Sequence, residues 1–238
     1  MLKLKRSIDI AVSLAAMPAL AVLTLAMTAA LRIMGSDGPV FFRQERIGLG
    51  GRRFKCYKFR TMALDADSSQ HQAHLSRLMG LGVPMVKMDS IGDSRLIPGG
   101  WLLRASGLDE LPQLFNVLRG EMSLIGPRPC LPYEFERYLP WQRERFEAAP
   151  GLTGLWQVSG KNRTTFDEMI RLDIEYARNR SLWLDMKIVL MTAPAIVRQC
   201  LDTRAARRAA RSRARTVVAL SYQLTPEAPK EMVSHRAS

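Results

Sequence analysis

The chain has 238 residues, enough for one domain with a core of its own. Its 35 Lys and Arg against 22 Asp and Glu leave a formal net charge of +13, which favours an anionic partner, either nucleic acid or an anionic membrane surface. Three widely separated cysteines, Cys56, Cys130 and Cys200, form no CxxC pair; they argue against a disulfide framework or a zinc site and fit a reducing compartment.

Residues 10–31 carry no charge, and these 22 positions suffice for a helix across a bilayer core of about 30 Å. Pro18 interrupts the run early, and a mid-helix proline removes a backbone hydrogen bond and kinks or breaks the helix. Both flanks are basic, with Lys3, Lys5 and Arg6 before the run and Arg32, Arg43 and Arg46 after it. A simple span should carry more Lys and Arg on its cytoplasmic side. Three readings compete: a spanning anchor, a cleaved signal peptide, and a helix–break–helix that dips into one leaflet with both ends cytoplasmic. The run exceeds the usual signal-peptide core of about 7–15 residues.

Residues 40–60 read as a β-hairpin, with VFFRQERI and RFKCYKF flanking the turn signal GLGG. Residues 63–94 are polar and irregular, with a helix expected over 71–79. His71 and His74 have helical i,i+3 spacing, but no further His or Cys lies near enough to complete a metal site. Residues 101–104 read as a short helix. The clearest helix covers 108–119, where Leu111, Leu114, Phe115 and Leu118 form an apolar stripe and Gly120 supplies the stop. Pro112 fits its first turn, where N–H groups lack intrahelical partners. Asp109 and Glu110 then sit at the positive end of the helix dipole.

A further helix is expected over 134–148, then a turn-rich stretch over 150–162. Residues 165–178 predict an amphipathic helix with Phe166, Met169, Ile170, Ile174 and Ala177 on one face. Residues 181–197 are mostly apolar but include Asp185 and Lys187, so they span poorly and read as a core or interfacial helix. Beyond Val197, Arg204, Arg207, Arg208, Arg211, Arg213 and Arg215 lie among alanines, and the last twenty or so residues read as disordered. No internal repeat is present.

Adjacent carboxylates at a helix start usually serve only as caps. Here Arg95, Arg104 and Lys58–Phe59–Arg60 lie upstream, and Gly126–Pro127–Arg128–Pro129 lies downstream. Two prolines stiffen the backbone around one arginine, which suits a bidentate grip on phosphate. Residues adjacent on a regular helix point about 100° apart, so Asp109 and Glu110 share a ligand only if the helix start is loosened. One carboxylate attacking phosphorus while the other holds Mg²⁺ or handles a proton is a workable division, since Mg²⁺ takes one or two carboxylates plus substrate phosphates. The bland reading is a capped turn beside a solvated strand end.

Five ordered motifs carry a resemblance over residues 5–197: KRSIDI from Lys5, FRQERIG from Phe42, FKCYKFRTM from Phe54, LDELPQLFNVLRGEMSLIGPRP from Leu108, and PGLTGLWQVSGK from Pro150. The chain resembles the bacterial sugar transferase family, the monotopic phosphoglycosyl transferases that initiate exopolysaccharide, O-antigen and glycoprotein glycan synthesis. The resemblance implies transfer of a sugar 1-phosphate from a UDP-sugar to undecaprenyl phosphate, with release of UMP. It implies a ping-pong route through a phosphosugar on Asp109, with Glu110 as its partner and Mg²⁺ as cofactor. Arg104 and Arg128 would hold phosphates; Arg95, Lys58 and Arg60 are further phosphate-binding candidates, and Asp109 and Glu110 are the candidate metal ligands.

The family's N-terminal segment is a re-entrant helix broken at a proline, here Pro18. Met17 replaces the Ser that usually precedes it, Gly107 replaces the Ser of the usual Ser-Leu-Asp-Glu, and Gly92-Asp93-Ser94-Arg95 replaces a simple Asp-Pro-Arg. Several members carry a large N-terminal membrane domain; this chain reads as the minimal catalytic unit.

The expected architecture is α+β and mainly helical. It has a re-entrant membrane helix (1–35), a cytoplasmic catalytic domain with a small hairpin and amphipathic interfacial helices (36–197), and a basic, disordered or surface-associated tail (198–238). The expected site of action is the cytoplasmic face of a bacterial inner membrane, in contact with phospholipid. No nucleic-acid partner is expected, and an apolar surface near 166–197 suits a homodimer. The competing class is a basic membrane-surface or nucleic-acid binding module without catalysis, which needs no Asp-Glu pair.

Overall fold

The computed structural model describes residues 2–64, 69–85, 93 and 95–224. It opens with helix α1, Leu2–Ile33, which runs helical on both sides of Pro18. The expected break at Pro18 is therefore absent as an interruption of helix, and re-entry is not established by α1 itself. Proline removes one N–H from the ladder, and the neighbouring turns carry the helix past it.

Helix α1 leaves much of its apolar surface exposed. Asp9, Ser13, Leu20, Met27 and Leu31 are buried along one stripe, while Leu4, Ile8, Val12, Leu14, Val22 and Leu25 are exposed. A water-facing helix exposes polar residues, so this pattern suits lipid contact. The hydroxyls of Thr24 and Thr28 donate to the carbonyls of Leu20 and Thr24 at 2.7 and 2.8 Å, which satisfies them inside the helix. Among the described residues, the segment 3–33 alone is long and apolar enough to cross a membrane.

Strands β1, Phe41–Ile47, and β2, Arg53–Phe59, form the expected antiparallel hairpin, with Phe41 opposite Phe59 and Ile47 opposite Arg53. Helix α2 spans Ser69–Leu81, slightly longer than the sequence predicts. Helix α3, Gly100–Ser106, ends at Gly107 in the left-handed region (φ +75°). The expected α-helix over 108–119 is instead a 3₁₀ helix, Leu108–Gln113, followed by α4, Leu114–Arg119. Pro112 cannot donate to the ladder, and 3₁₀ geometry is the usual form of such a helix end.

The apolar stripe is also only partly as expected. Phe115 lies outward, while Asn116 and Val117 are fully buried, because α4 is packed on one side by α1 and on another by β2. Asn116 joins two elements: its Oδ1 accepts from Tyr57 N at 3.1 Å and its Nδ2 donates to Lys55 O at 2.8 Å.

Strands β3, Ser123–Ile125, and β4, Gly151–Thr153, pair in parallel. Between them lie α5, Pro132–Glu136, and a 3₁₀ helix, Pro140–Glu147. The single helix expected over 134–148 is thus split, since Pro140 prevents its continuation. Helix α6, Leu155–Val158, leads to α7, Phe166–Arg178, which Thr165 caps by accepting from Glu168 N. The predicted apolar face of α7 is buried, Phe166, Met169, Ile170 and Ile174 in the main core with Tyr138, Phe146 and Trp156 and Ala177 beside Ile188, so it is not available to a second copy.

Helix α8 runs from Leu182 to Leu224. The composition change at Val197 marks no boundary in it, because alanine and arginine are both strong helix formers. Residues 225–238, the rest of the expected disordered tail, lie outside the described residues.

Candidate active site

A cleft of about 180 Å³ lies between β2, α2, α3, the 3₁₀ turn and the loops after β3 and β4. Lys58, Arg95, Arg104, Asp109, Glu110 and Arg128 all line it. The sequence candidates thus converge from five separate parts of the chain. Gly107 ends α3 and, with an open left-handed turn, feeds directly into the 3₁₀ turn that presents the two carboxylates. Three residues per turn set neighbours about 120° apart, yet both side chains reach the cleft. Asp109 is only 5 % exposed. Glu110 is more open, and Lys58 Nζ donates to its Oε1 at 2.7 Å.

Arg60 does not join them. Its buried guanidinium donates to Pro39 O at 2.8 Å, Ser36 Oγ at 2.8 Å and Gly38 O at 3.2 Å. It fastens the segment between α1 and β1 to the hairpin rather than facing the cleft. Arg95 grips Asp93 with two bonds, Nε–Oδ1 at 2.8 Å and Nη2–Oδ2 at 2.7 Å, and both residues line the cleft. The Arg95 hydrogen bonds and guanidinium hold the Asp93 carboxyl below its usual range, outweighing partial burial. Pro18 lies outward on α1, away from this site.

Arg128 is held from behind. Its Nη1 lies 3.2 Å from both oxygens of Glu134, whose Oε2 also accepts from Leu131 N at 2.7 Å. Arg145 donates to Arg128 O at 2.7 Å, to Tyr138 OH at 2.5 Å and to Asp173. Arg46 donates to Pro129 O at 3.0 Å and to Gln44 Oε1 at 2.7 Å. Two buried arginines, Arg46 and Arg145, and the half-buried Arg128 thus surround two buried carboxylates, leaving a positive surplus beside the cleft. Burial alone raises Glu134, but Arg128, Arg46, the Leu131 N–H and Arg145 together bring it below its ordinary value. Burial pushes Asp173 up to about 6, only partly opposed by Arg145.

The backbone around Arg128 is set by close glycine contacts. A Cβ on Gly126 would lie 2.1 Å from Ala149 O, and one on Gly154 would lie 2.0 Å from Gly126 O. The GPRP and PGLTG motifs are therefore pressed backbone to backbone, and this brings Gln157 and Lys161 into the cleft. Sequence reasoning assigned those two no role, nor Arg46 and Gln113, which also line it. The available signal was the PGLTGLWQVSGK motif, in which Lys161 follows Gly160; in the structure Lys161 itself takes φ +44°. Cys56 lines the cleft as well, but burial raises its thiol and leaves it a poor nucleophile.

Asp109 and Glu110 offer oxygen donors facing a cleft rich in cations, which fits the one or two carboxylates that Mg²⁺ takes alongside substrate phosphates. Among the described residues no cluster of three His, Cys, Asp or Glu forms a closed metal cage. The arrangement combines a recessed carboxylate, a paired carboxylate and several fixed cations, a set suited to displacement at phosphorus.

Comparison with known proteins gives a consistent result. The family described as "Bacterial sugar transferase" matches residues 1–199. The chain is 41% identical over 168 residues to the galactosyl transferase CpsE of Streptococcus agalactiae, covering 70% of this chain and 36% of that protein. It is 38% identical over 192 residues to the exopolysaccharide production protein ExoY of Sinorhizobium fredii, covering 81% and 84%. It is 43% identical over 182 residues to the UDP-glucose:undecaprenyl-phosphate glucose-1-phosphate transferase of Caulobacter vibrioides, covering 73% and 62%. The chain thus spans about a third of the streptococcal relative and most of the rhizobial one.

Proposed function

The chain belongs to the bacterial sugar transferase family, and on that premise we propose that it transfers a sugar 1-phosphate from a UDP-sugar to undecaprenyl phosphate in exopolysaccharide synthesis. The observation that carries this reading is the convergence of Asp109, Glu110, Lys58, Arg95, Arg104 and Arg128 in one cleft.

In the first step a carboxylate oxygen of Asp109 attacks the phosphorus that bears the sugar. The bond from that phosphorus to the bridging oxygen breaks, and its electron pair leaves with UMP. In the second step a phosphate oxygen of the lipid attacks the same phosphorus and displaces the Asp109 carboxylate. A covalent intermediate splits one difficult transfer into two in-line displacements. Arg104, Arg128 and Lys58 neutralise the phosphates; Lys58 also orients Glu110. Asp109 and Glu110 would hold Mg²⁺, which supplies further charge neutralisation at the pyrophosphate.

The same reading places α1 as a re-entrant element. Near its start, Lys5 Nζ meets Asp185 Oδ2 at 2.7 Å, Arg6 donates to Val117 O and Leu118 O, and Asp9 accepts from Ser123 Oγ and Leu124 N. Farther along, Leu20 and Met27 pack with Phe59 and Leu114. Both halves of α1 touch the body that holds the cleft, which supports two ends on one membrane face.

UMP release from a panel of UDP-sugars, with undecaprenyl phosphate and Mg²⁺, tests the proposal. One donor supporting release, lost in Asp109→Asn and on chelation of the metal, is expected. A single stoichiometric burst of UMP without lipid is expected of the ping-pong route. Release undiminished in Asp109→Asn overturns it.

A further inference from the structure

The geometry points to a second, apolar site that receives the isoprenoid chain of the lipid acceptor, a groove between the 3₁₀ turn of Leu108–Gln113 and the middle of α8. This inference rests on the transferase reading and deepens it. The groove holds about 520 Å³, within the range of ligand pockets. Leu108, Leu111, Leu152, Val158, Val189 and Ile196 form its walls.

The groove adjoins the phosphate cleft. Gly107, Glu110, Leu152, Gln157 and Lys161 line both. Glu110 therefore stands where polar surface gives way to apolar surface, within reach of each. An amphiphile with its phosphate among the cleft cations has its first isoprene units at the groove.

Away from Glu110, Gln157 and Lys161, which it shares with the cleft, the groove's polar side chains hold hydrogen bonds within the protein. Thr192 Oγ1 donates to Ile188 O at 2.8 Å and lies 3.0 Å from Thr153 Oγ1. Ser106 Oγ is 2.9 Å from Leu102 O, and Gln199 Nε2 donates to Arg104 O at 3.2 Å. A uracil, ribose or hexose needs several hydrogen-bond partners, and the hydroxyl donors here are engaged within the protein, whereas a hydrocarbon chain needs none.

The mouth carries exposed apolar residues. Leu108 and Val189 line the groove and are 40% and 52% exposed. Beside them on α8, Trp183, Leu190 and Val197 are exposed at 80%, 70% and 58%. An apolar surface of this kind, led by Trp, suits the bilayer interface. The rest of a long chain then continues from the groove into lipid.

The test uses the full-length protein in detergent with two acceptors, undecaprenyl phosphate and geranyl phosphate, and the variants Ala195→Phe and Ile196→Asp. The parent should prefer the long acceptor in kcat/KM, and each variant should lose at least tenfold of that preference while unfolding at a temperature close to the parent's. Preference kept within twofold in both variants overturns the inference. Independently of turnover, a benzophenone-tagged geranyl phosphate should label the peptide containing residues 189–199, in competition with undecaprenyl phosphate. Labelling confined to α1 overturns the groove. A parent that releases no UMP with any donor defeats the transferase reading, and the labelling arm then still decides whether the groove holds isoprenoid.

Discussion

Lys58 Nζ lies 2.7 Å from Glu110 Oε1, so the hairpin and the 3₁₀ turn meet at the mouth of the cleft through opposite charges. The two residues are 52 positions apart in the chain. The pair is partly exposed, and such pairs contribute about 0–1 kcal/mol to stability. Its value lies in orienting Glu110 and adding a cation beside the substrate phosphates. Lys58→Met should therefore lower kcat/KM for UMP release by roughly 100-fold or more, typical of losing one charge-stabilising group, with a melting temperature near the parent's. Asp109→Asn should remove turnover altogether, and Glu110→Gln should fall between them. Equal activity in Lys58→Met and the parent would show that the pair is structural only.

The buried Arg145–Asp173 pair should behave in the opposite way. Arg145→Met leaves a buried carboxylate without its cation and removes the donor to Arg128 O and Tyr138 OH. Breaking a buried pair from one side typically costs about 3–5 kcal/mol. Denaturant unfolding in detergent measures this, and the double variant Arg145→Met/Asp173→Leu should recover part of the loss. A single variant as stable as the parent would remove this cluster from the account of how Arg128 is held.

The same pair gives a pH signature. Burial pushes Asp173 up to about 6 from an ordinary value of 3.8, so the folded state holds its proton more tightly than the unfolded state does. The stability this lends is present below about pH 4 and is lost as pH rises through about 6, on the order of 2–3 kcal/mol. Asp173→Asn cannot titrate. The stability of the parent relative to this variant should therefore decline between pH 4 and pH 7 when unfolding is followed by denaturant at each pH. A difference independent of pH would mean that Asp173 keeps an ordinary pKa.

Gly126→Ala should be among the most damaging small substitutions. The added methyl would lie 2.1 Å from Ala149 O and 3.0 Å from the Pro150 carbonyl carbon, and both neighbours are backbone that cannot rotate aside. Forced separation of the two motifs should cost more than about 2 kcal/mol, at the upper end for overpacking. It should also displace Arg128. Gly107→Ala meets no neighbour and carries only the left-handed backbone penalty (φ +75°), about 1–2 kcal/mol. Thermal melts of the two variants should differ in that order.

The disposition of α1 is open to direct labelling. With Cys200 replaced by serine, Cys56 and Cys130 remain buried and silent. Single cysteines at Lys3 and Asp37 should then both react from the cytoplasmic side of inverted vesicles. Labelling of Lys3→Cys from the opposite side alone would make α1 a spanning anchor.

Much of the local structure was legible without coordinates. The β-prone runs around GLGG specified the hairpin, and the spacing of Phe166, Met169, Ile170, Ile174 and Ala177, preceded by the Thr165 cap, specified α7, because period and capping are local properties of a chain. The family was legible too: five ordered motifs named it, and six of the seven charged candidates proved to share one cleft. Three things were decided only in three dimensions. Arg60 and Arg128 look alike as arginines near turns, yet one is spent on Pro39 and Gly38 carbonyls and the other faces the cleft. The helix expected over 134–148 yielded to Pro140, while the one in α8 continued far beyond the composition change at Val197. Gln157, Lys161 and the groove against α8 arise where β4 is pressed onto the GPRP turn, a contact between residues some 25 positions apart. Periodicity and propensity act over a few residues, whereas a cavity is the space left between distant segments once their cores have packed.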